Sequence, residues 1–199
     1  MEVEVKLWFP DAQAMHALQE VLGGQPTKVY HQTNVYFDTV DSKLSDCQAV
    51  LRLRFFEDEG TERCVLTLKE GGVMRQGIMV TGEKEQDIQV AEGRKCQEDP
   101  HLIAALGGEV VQHLVDTFGD RFVCLGSIEN HRSCFPFEGL TLEVDHTVYP
   151  FGEQFGVELE TLHPEDMKEK LTSLLKEHSI PFSEATKSKF AIFREGTLP

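Results

Sequence analysis

Cysteine is sparse and unpatterned in this chain: five residues (Cys47, Cys64, Cys96, Cys124 and Cys134), an odd number with no C-x-x-C pair. Such a set builds neither a disulfide framework nor a zinc site, and it points to reduced thiols in a reducing compartment. The eight histidines show no H-x-H or H-E-x-x-H spacing, so each reads first as a surface or packing residue. No P-loop, G-x-G-x-x-G or G-x-S-x-G occurs, which removes the usual nucleotide-binding and serine-hydrolase classes. No apolar run approaches a membrane span, and Glu2 and Glu4 stand where a signal peptide would carry bases. A cytoplasmic protein without a membrane partner is the expectation. Positive charge is also scarce, with 19 Lys and Arg against 34 Asp and Glu for a net charge of −15. That balance opposes binding of DNA or RNA along an open surface. An anionic ligand is compatible with it if the ligand's positive partners are gathered in one shielded place.

What is present fits a globular chain: 199 residues, 40% apolar and 27% charged, without internal repeats or low-complexity segments. With no composition break, a single domain over residues 1–199 is expected. The sequence sets no oligomeric state.

The first residues carry the clearest pattern. Met1-Glu2-Val3-Glu4-Val5-Lys6 alternates strictly, so an extended strand turns Glu2, Glu4 and Lys6 to one face and Val3, Val5 and Leu7 to the other. One such strand fits a sheet with a wet outer face. The same alternation recurs, however, with acids and bases sorted onto different strands. Leu51, Leu53 and Phe55 oppose Arg52 and Arg54 in a strand near Ala49 to Phe56. Cys64, Leu66 and Leu68 oppose Val65, Thr67 and Lys69 in the next, across a Glu57-Asp58-Glu59-Gly60 turn. Gly71-Gly72 and Gly77 read as a loop, followed by a strand with Thr81, Glu83, Glu85 and Asp87 at one parity. Arg132 shares parity with Asn130 near Phe122 to Cys134, where His131 interrupts the apolar side. Glu143 and Asp145 oppose Leu140, Leu142 and Val144; Glu158 and Glu160 oppose Phe155, Val157 and Leu159. A strand over Val29 to Thr39, whose even positions include Tyr36, brings the expected number to eight. Tyr36 reads first as a structural aromatic.

Helices are expected after Asp11 as N-cap with Gly23-Gly24 as the stop, from Asp99-Pro100 towards Phe118 with a break at Gly107-Gly108, and from Pro164 through Leu175. A last short helix is expected from near Ser183, carrying Lys187 and Lys189. His16 and His178 fall in helical segments as surface residues. Apolar helix stripes need covering, and the apolar sheet faces are their natural partner. The charged faces then look into water or into a closed barrel; eight strands close readily around a small ligand. The fold class expected is α+β: an eight-stranded antiparallel closed β-barrel with a charged interior and helices packed outside. Unpaired ions in such an interior would cost several kcal/mol each. A polyanion gripped by Arg and Lys, with Mg²⁺ or Mn²⁺ held by clustered carboxylates, resolves that cost.

Glu2-Val-Glu4-Val-Lys6 resembles the E-x-E-x-K signature of the CYTH superfamily, the triphosphate tunnel metalloenzymes. The resemblance continues in order through Leu51-Arg52-Leu53-Arg54, Thr67-Leu68-Lys69, Glu129-Asn-His-Arg132, Leu142-Glu143-Val-Asp145, Glu158-Leu-Glu160 and Lys189-Phe-Ala. The ending from Phe190 to Pro199, with Phe122-Val-Cys-Leu-Gly126, looks most like the plant-type inorganic triphosphatase branch. The resemblance implies a metal-dependent hydrolase that cleaves linear tripolyphosphate to pyrophosphate and phosphate. Lys6, Arg52, Arg54, Lys69, Arg132 and Lys189 would bind phosphoryl groups. Glu2, Glu4, Asp145, Glu158 and Glu160 would hold Mg²⁺ or Mn²⁺, with Glu4, Lys69 and Glu160 as the catalytic set. Glu83, Glu85 and Glu143 match further acidic positions without a fixed role. Thr81 and Thr33 depart from the family pattern, standing where relatives often carry a base. The same tunnel also suits thiamine triphosphate, RNA 5′ phosphates or cyclisation of ATP. A polyphosphate-binding module without turnover is the reading from outside enzymes, and the intact acids of the first and eighth strands count against it.

Overall fold

The computed structural model describes all residues from Met1 to Pro199. Eight long strands appear in order: β1 (Glu2–Phe9), β2 (Lys28–Thr39), β3 (Val50–Asp58), β4 (Thr61–Arg75), β5 (Ile78–Ile88), β6 (Phe122–Phe137), β7 (Leu140–Tyr149) and β8 (Gly152–Glu160). They bond in the order β5-β4-β3-β2-β6-β7-β8-β1, and β5 returns to pair with β1. The result is the closed eight-stranded antiparallel barrel with accompanying helices, an α+β fold, that alternation implied. A two-residue strand, β9 (Ser183–Glu184), adds to β1 opposite Leu7 and Trp8.

The chain divides into two compact units. The first comprises residues 1–31, 73–80 and 130–199; the second comprises residues 32–72 and 81–129. Each has its own apolar core.

In the first unit, Val5, Leu7 and Phe9 of β1 share a core with Leu142 and Val144 of β7 and with Val157 and Leu159 of β8. Helix α1 (Ala12–Val21) covers it with Met15 and Leu18. As the sequence indicates, Asp11 caps α1, its carboxylate accepting from Ala14 N at 2.9 Å. A second covering helix, over Pro164–Glu177, contributes Met167, Leu171 and Leu175. The backbone of Lys6 is held from two directions. Its N–H donates to Gly77 O at 2.7 Å, and its carbonyl accepts from Ala185 N at 3.1 Å. Gly77 is required there: its φ is +72°, and a Cβ would lie 2.9 Å from Lys6 O.

In the second unit, Leu51, Leu53, Phe55, Leu66 and Leu68 of β3 and β4 pack with Ile103, Val111, Leu114 and Phe118. The covering elements are α2 (Lys43–Asp46), α3 (Val90–Glu98), a 3₁₀ turn over Pro100–Ala105 and α4 (Glu109–Phe118). The helix over Pro164–Glu177 is α5, and α6 spans Lys189–Glu195.

Two expectations fail locally. Gly71-Gly72 is no loop: β4 runs through it to Arg75 and turns at Gln76-Gly77. Positive φ at Gln76 (+49°) and Gly77 (+72°) makes that pair a tight hairpin turn, so the glycine pair before it only bends the strand. The last helix does not start near Ser183. Ser183–Glu184 is taken by backbone pairing to β1, and the helix starts at Lys189, capped by Ser188, whose Oγ accepts from Ala191 N at 3.2 Å. No helix is long and apolar enough to cross a membrane.

Candidate functional site

Strand alternation gathers a charged cluster in each unit. The cluster of the first unit is the more deeply buried. Glu4 and Lys6, two residues apart on β1, share a face, and Lys6 Nζ lies 2.6 Å from Glu4 and 2.8 Å from Glu158. From β6, Arg132 presents its guanidinium fork to Asp145, Nε donating to Oδ1 at 2.8 Å and Nη2 to Oδ2 at 2.7 Å. Its Nη2 also reaches Glu158 Oε2 at 2.8 Å, and its Nη1 contacts Glu143. Lys189, the first residue of α6, completes the group at 2.8 Å from Asp145 and 2.5 Å from Glu158. Glu158 is therefore the acceptor for three cations. A shallow recess opens beside it, lined by Lys6, Asp145, Thr147, Glu158, Lys187 and Lys189 among others.

Burial and charge compete here, and charge wins for most groups. Burial would pull the Lys6 pKa down, but Glu158 and Glu4 hold it well above the ordinary lysine value. Burial would push Asp145 up, yet Arg132 and Lys189 draw it down to about 2. Glu158 is held well below its ordinary value by Lys189, Lys6 and Arg132 against the same burial cost. Glu143 goes the other way: burial raises its pKa, and Arg132 offsets only part of that. Asp145 and Glu158 are thus ionised carboxylates held by cations.

The cluster of the second unit is looser. Arg52 is buried, and its Nη2 donates to Thr67 Oγ1 at 3.0 Å. Its Nη2 also lies 3.9 Å from Glu83 and 3.7 Å from Glu85. Lys69 sits 3.2 Å from Glu83, and Thr67 donates to Glu85 at 2.9 Å. Arg54 Nε donates to Asn34 Oδ1 at 3.0 Å. The Nε of Arg52 is buried with no hydrogen-bond partner. An orphaned guanidinium N–H costs the protein free energy unless an acceptor arrives.

The sequence-derived residues therefore fall as follows. Glu4, Lys6, Arg132, Glu143, Asp145, Glu158 and Lys189 come together in the first unit, and Arg52, Arg54, Lys69, Glu83 and Glu85 line one stretch of the second. Glu160 is exposed at the end of β8, opposite Glu4 in the ladder, and Glu2 is half-buried at the start of β1. Tyr36 is buried, and His16 and His178 are exposed. Thr33 donates to Glu129 at 3.0 Å, and Thr81 donates to the Glu70 carbonyl at 3.1 Å, so both threonines serve local hydrogen bonds. Residue-type reasoning passed over Asn34, Asn130 and Thr147. Asn130 donates to Asp145 at 3.0 Å and accepts from Thr147 at 2.7 Å. Their parity, shared with Arg132 and Asp145, was the available signal.

The chain is thus a closed antiparallel barrel whose strands sort acids and bases into charged clusters. The chain belongs to the CYTH domain family, which matches residues 1–191. It is 28% identical over 164 residues to YjbK, a candidate triphosphatase of Bacillus subtilis strain 168, covering 82% of this chain and 79% of that one. HpAC1 of Hippeastrum, a candidate adenylyl cyclase with a dominant triphosphatase activity, is 35% identical. Its structure superposes with a TM-score of 0.94 over 100% of this chain and 98% of its own. A candidate adenylate cyclase of Bacillus halodurans shares the fold at 24% identity and a TM-score of 0.74, covering 96% of this chain and 97% of that one. The family, with YjbK and HpAC1, indicates a triphosphatase type of chemistry.

Proposed function

We propose that the protein hydrolyses linear inorganic triphosphate to pyrophosphate and phosphate with the help of Mg²⁺ or Mn²⁺. The observation that carries this reading is the convergence of Lys6, Arg132 and Lys189 on Glu158 and Asp145. Three cations, Arg132 buried and Lys6 and Lys189 half-buried, are held by carboxylates and poised to exchange them for phosphoryl oxygens, which accept the same charge-assisted hydrogen bonds. The partnerless Nε of Arg52 in the second cluster supports the reading, since an anionic oxygen would satisfy it. The similarity to HpAC1 supports the reaction class.

Carboxylates are hard oxygen donors of the kind Mg²⁺ and Mn²⁺ take, and Asp145 and Glu158 are kept ionised by their surroundings. Glu2, Glu4, Asp145, Glu158 and Glu160 would hold the metal, which when bound neutralises phosphoryl charge. The chain's own groups do the rest. Lys6, Arg132 and Lys189 bind phosphoryl oxygens, a role proposed for Arg52, Arg54 and Lys69 within the second unit as well. Glu4 or Glu160 takes a proton from the attacking water. In-line attack at a terminal phosphorus breaks the phosphoanhydride bond, and the charge that grows on the pyrophosphate leaving oxygen is met by phosphoryl-binding cations. The substrate is a small molecule with no nucleic acid in it, and the cytoplasm is the compartment proposed for a chain whose five cysteines are all free.

The test is phosphate release from tripolyphosphate, ATP and thiamine triphosphate, each with Mg²⁺ and with Mn²⁺. Preference for tripolyphosphate supports the reading. Preference for either other substrate moves the specificity, and saturable binding without release leaves a phosphate-polymer binding module.

A further inference from the structure

The outer face of the first unit carries a row of histidines that the charged clusters do not use. His31 lies on β2, His131 on β6 and His146 on β7, three strands that neighbour one another in the sheet. His31 Nδ1 and His131 Nδ1 are 2.7 Å apart, on exposed rings whose centroids are separated by 4.9 Å in an edge-on arrangement. His146 follows, its centroid 5.5 Å from that of His131, stacked on Phe155 at 4.7 Å. Its Nε2 lies 2.7 Å from Glu153 Oε2. His131 is the residue that breaks the apolar alternation of β6.

Two imidazole nitrogens that point their in-plane lone pairs at each other repel. They approach this closely only with something positive between them, either a proton or a metal ion. A proton makes one ring the donor and the other the acceptor. A transition-metal ion takes both lone pairs at once, and imidazole suits Zn²⁺, Ni²⁺ and Cu²⁺ where it does not suit Mg²⁺. With Zn–N bonds of about 2.0–2.1 Å and tetrahedral angles, the two nitrogens would stand about 3.3 Å apart. That is about 0.6 Å beyond the 2.7 Å observed, on two exposed side chains. The net charge of −15 and the Glu153 carboxylate at the end of the row both favour a cation here.

We propose that His31 and His131 form a two-histidine site for a divalent transition metal of the Zn²⁺ or Ni²⁺ type, with water filling the remaining positions. The site clips β2 to β6 and is separate from the carboxylates assigned to the reaction. Zn²⁺ is added to the full chain in excess Mg²⁺, which occupies hard oxygen sites, while the histidine ring nitrogens are followed individually by NMR. The expected result is that the Nδ1 signals of His31 and His131 move together and saturate. His131→Gln should abolish the shift at His31 and weaken binding by more than the roughly 10–100-fold that loss of an outer-sphere partner costs. Zn²⁺ held elsewhere, by the exposed Cys47 and Cys124 or by carboxylates, would leave both rings unmoved. Silence at both rings, or a shift at one without the other, overturns the proposal. Phosphate release plays no part in this readout, so its outcome is independent of the triphosphatase reading.

Discussion

Lys189 Nζ lies 2.8 Å from Asp145 Oδ2, joining the first residue of a C-terminal helix to a strand 44 residues earlier. Position at the rim of the recess separates two roles for this lysine. As a counter-ion only, its loss would destabilise the fold and leave substrate affinity alone. As a phosphate ligand, its loss would weaken substrate binding. Lys189→Met is expected to raise KM for tripolyphosphate on the order of tenfold, equivalent to about 1.4 kcal/mol, with a smaller change in kcat. Steady-state kinetics across tripolyphosphate concentrations reads this directly, and an unchanged KM would assign Lys189 to the fold alone.

Arg132 is the residue most committed to the buried cluster, bonded to Asp145 through two nitrogens and to Glu158 through one of them. Removing it strands carboxylates away from water. Arg132→Ala should cost about 3–5 kcal/mol of stability. Arg132→Lys should recover less than half of that, because an ammonium cannot reproduce the bidentate fork. Urea unfolding at constant m-value measures both variants. A lysine variant as stable as the parent would show that charge alone, without the fork, holds the cluster.

Acid should loosen the same cluster in a defined range. Asp145 has an ordinary pKa of 3.8 and is drawn to about 2 in the folded chain. A depressed carboxylate contributes stability that is fully present above the unfolded value and is lost as pH falls towards the folded one. The window is therefore roughly pH 4 down to 2, and the Asp145 share is about 2 kcal/mol. Asp145→Asn should lower stability at pH 7 and flatten the decline below pH 4. A decline of equal size in the variant would place the acid sensitivity in other carboxylates.

Tight packing on the second unit gives a prediction about α3. Gly93 sits where a Cβ would meet Cys64 Sγ at 2.5 Å and the Phe55 ring at 3.1 Å. In an exposed helix, Gly→Ala stabilises by about 1 kcal/mol. Here overpacking should reverse the sign, and Gly93→Ala is expected to destabilise by about 1–3 kcal/mol. Adding Cys64→Ala removes the clashing sulfur, so the double variant should be more stable than the sum of the two single changes implies. Strict additivity in thermal or urea unfolding would mean the helix moves away at little cost.

Alternation made the barrel readable before any coordinates. Val5, Leu7, Leu51, Leu53, Leu142 and Leu159 are fully or almost fully buried, while their neighbours in sequence carry the charge. Periodicity reports which face a residue shares, and it was right for Glu4, Lys6, Arg52, Arg132, Asp145 and Glu158. It does not report which acid meets which base. That Glu158 collects three cations depends on the stagger of β1 against β8 and on where α6 begins, both set by distant parts of the chain. Elements held by backbone pairing alone were also silent. Ser183–Glu184 joins β1 without a side-chain signature, and α3 buries only Gly93 and Cys96, too little for an apolar stripe. Asn130 and Thr147 were overlooked because neutral side chains on a charged face look incidental until their hydrogen bonds to Asp145 and to each other are seen.

Glu4 offers the sharpest test of the reaction itself. It is buried on β1, paired with Lys6 at 2.6 Å and opposite the exposed Glu160 in the ladder. Under the proposed mechanism its carboxylate serves metal binding and proton removal, both of which need the negative charge. Glutamine keeps the size and one carbonyl oxygen, so Glu4→Gln leaves the strand and its packing intact while deleting that charge. Turnover of tripolyphosphate at saturating Mg²⁺ should fall by about 10²–10⁴-fold, the range a positioned general base contributes. Glu160→Gln, at the exposed member of the pair, separates the two candidates for the base: the larger loss in kcat marks the residue that takes the proton. If Glu4→Gln keeps near-normal kcat while binding tripolyphosphate normally, the carboxylates of β1 have been assigned to the wrong task, and the cluster around Glu158 would have to be read as a structural network.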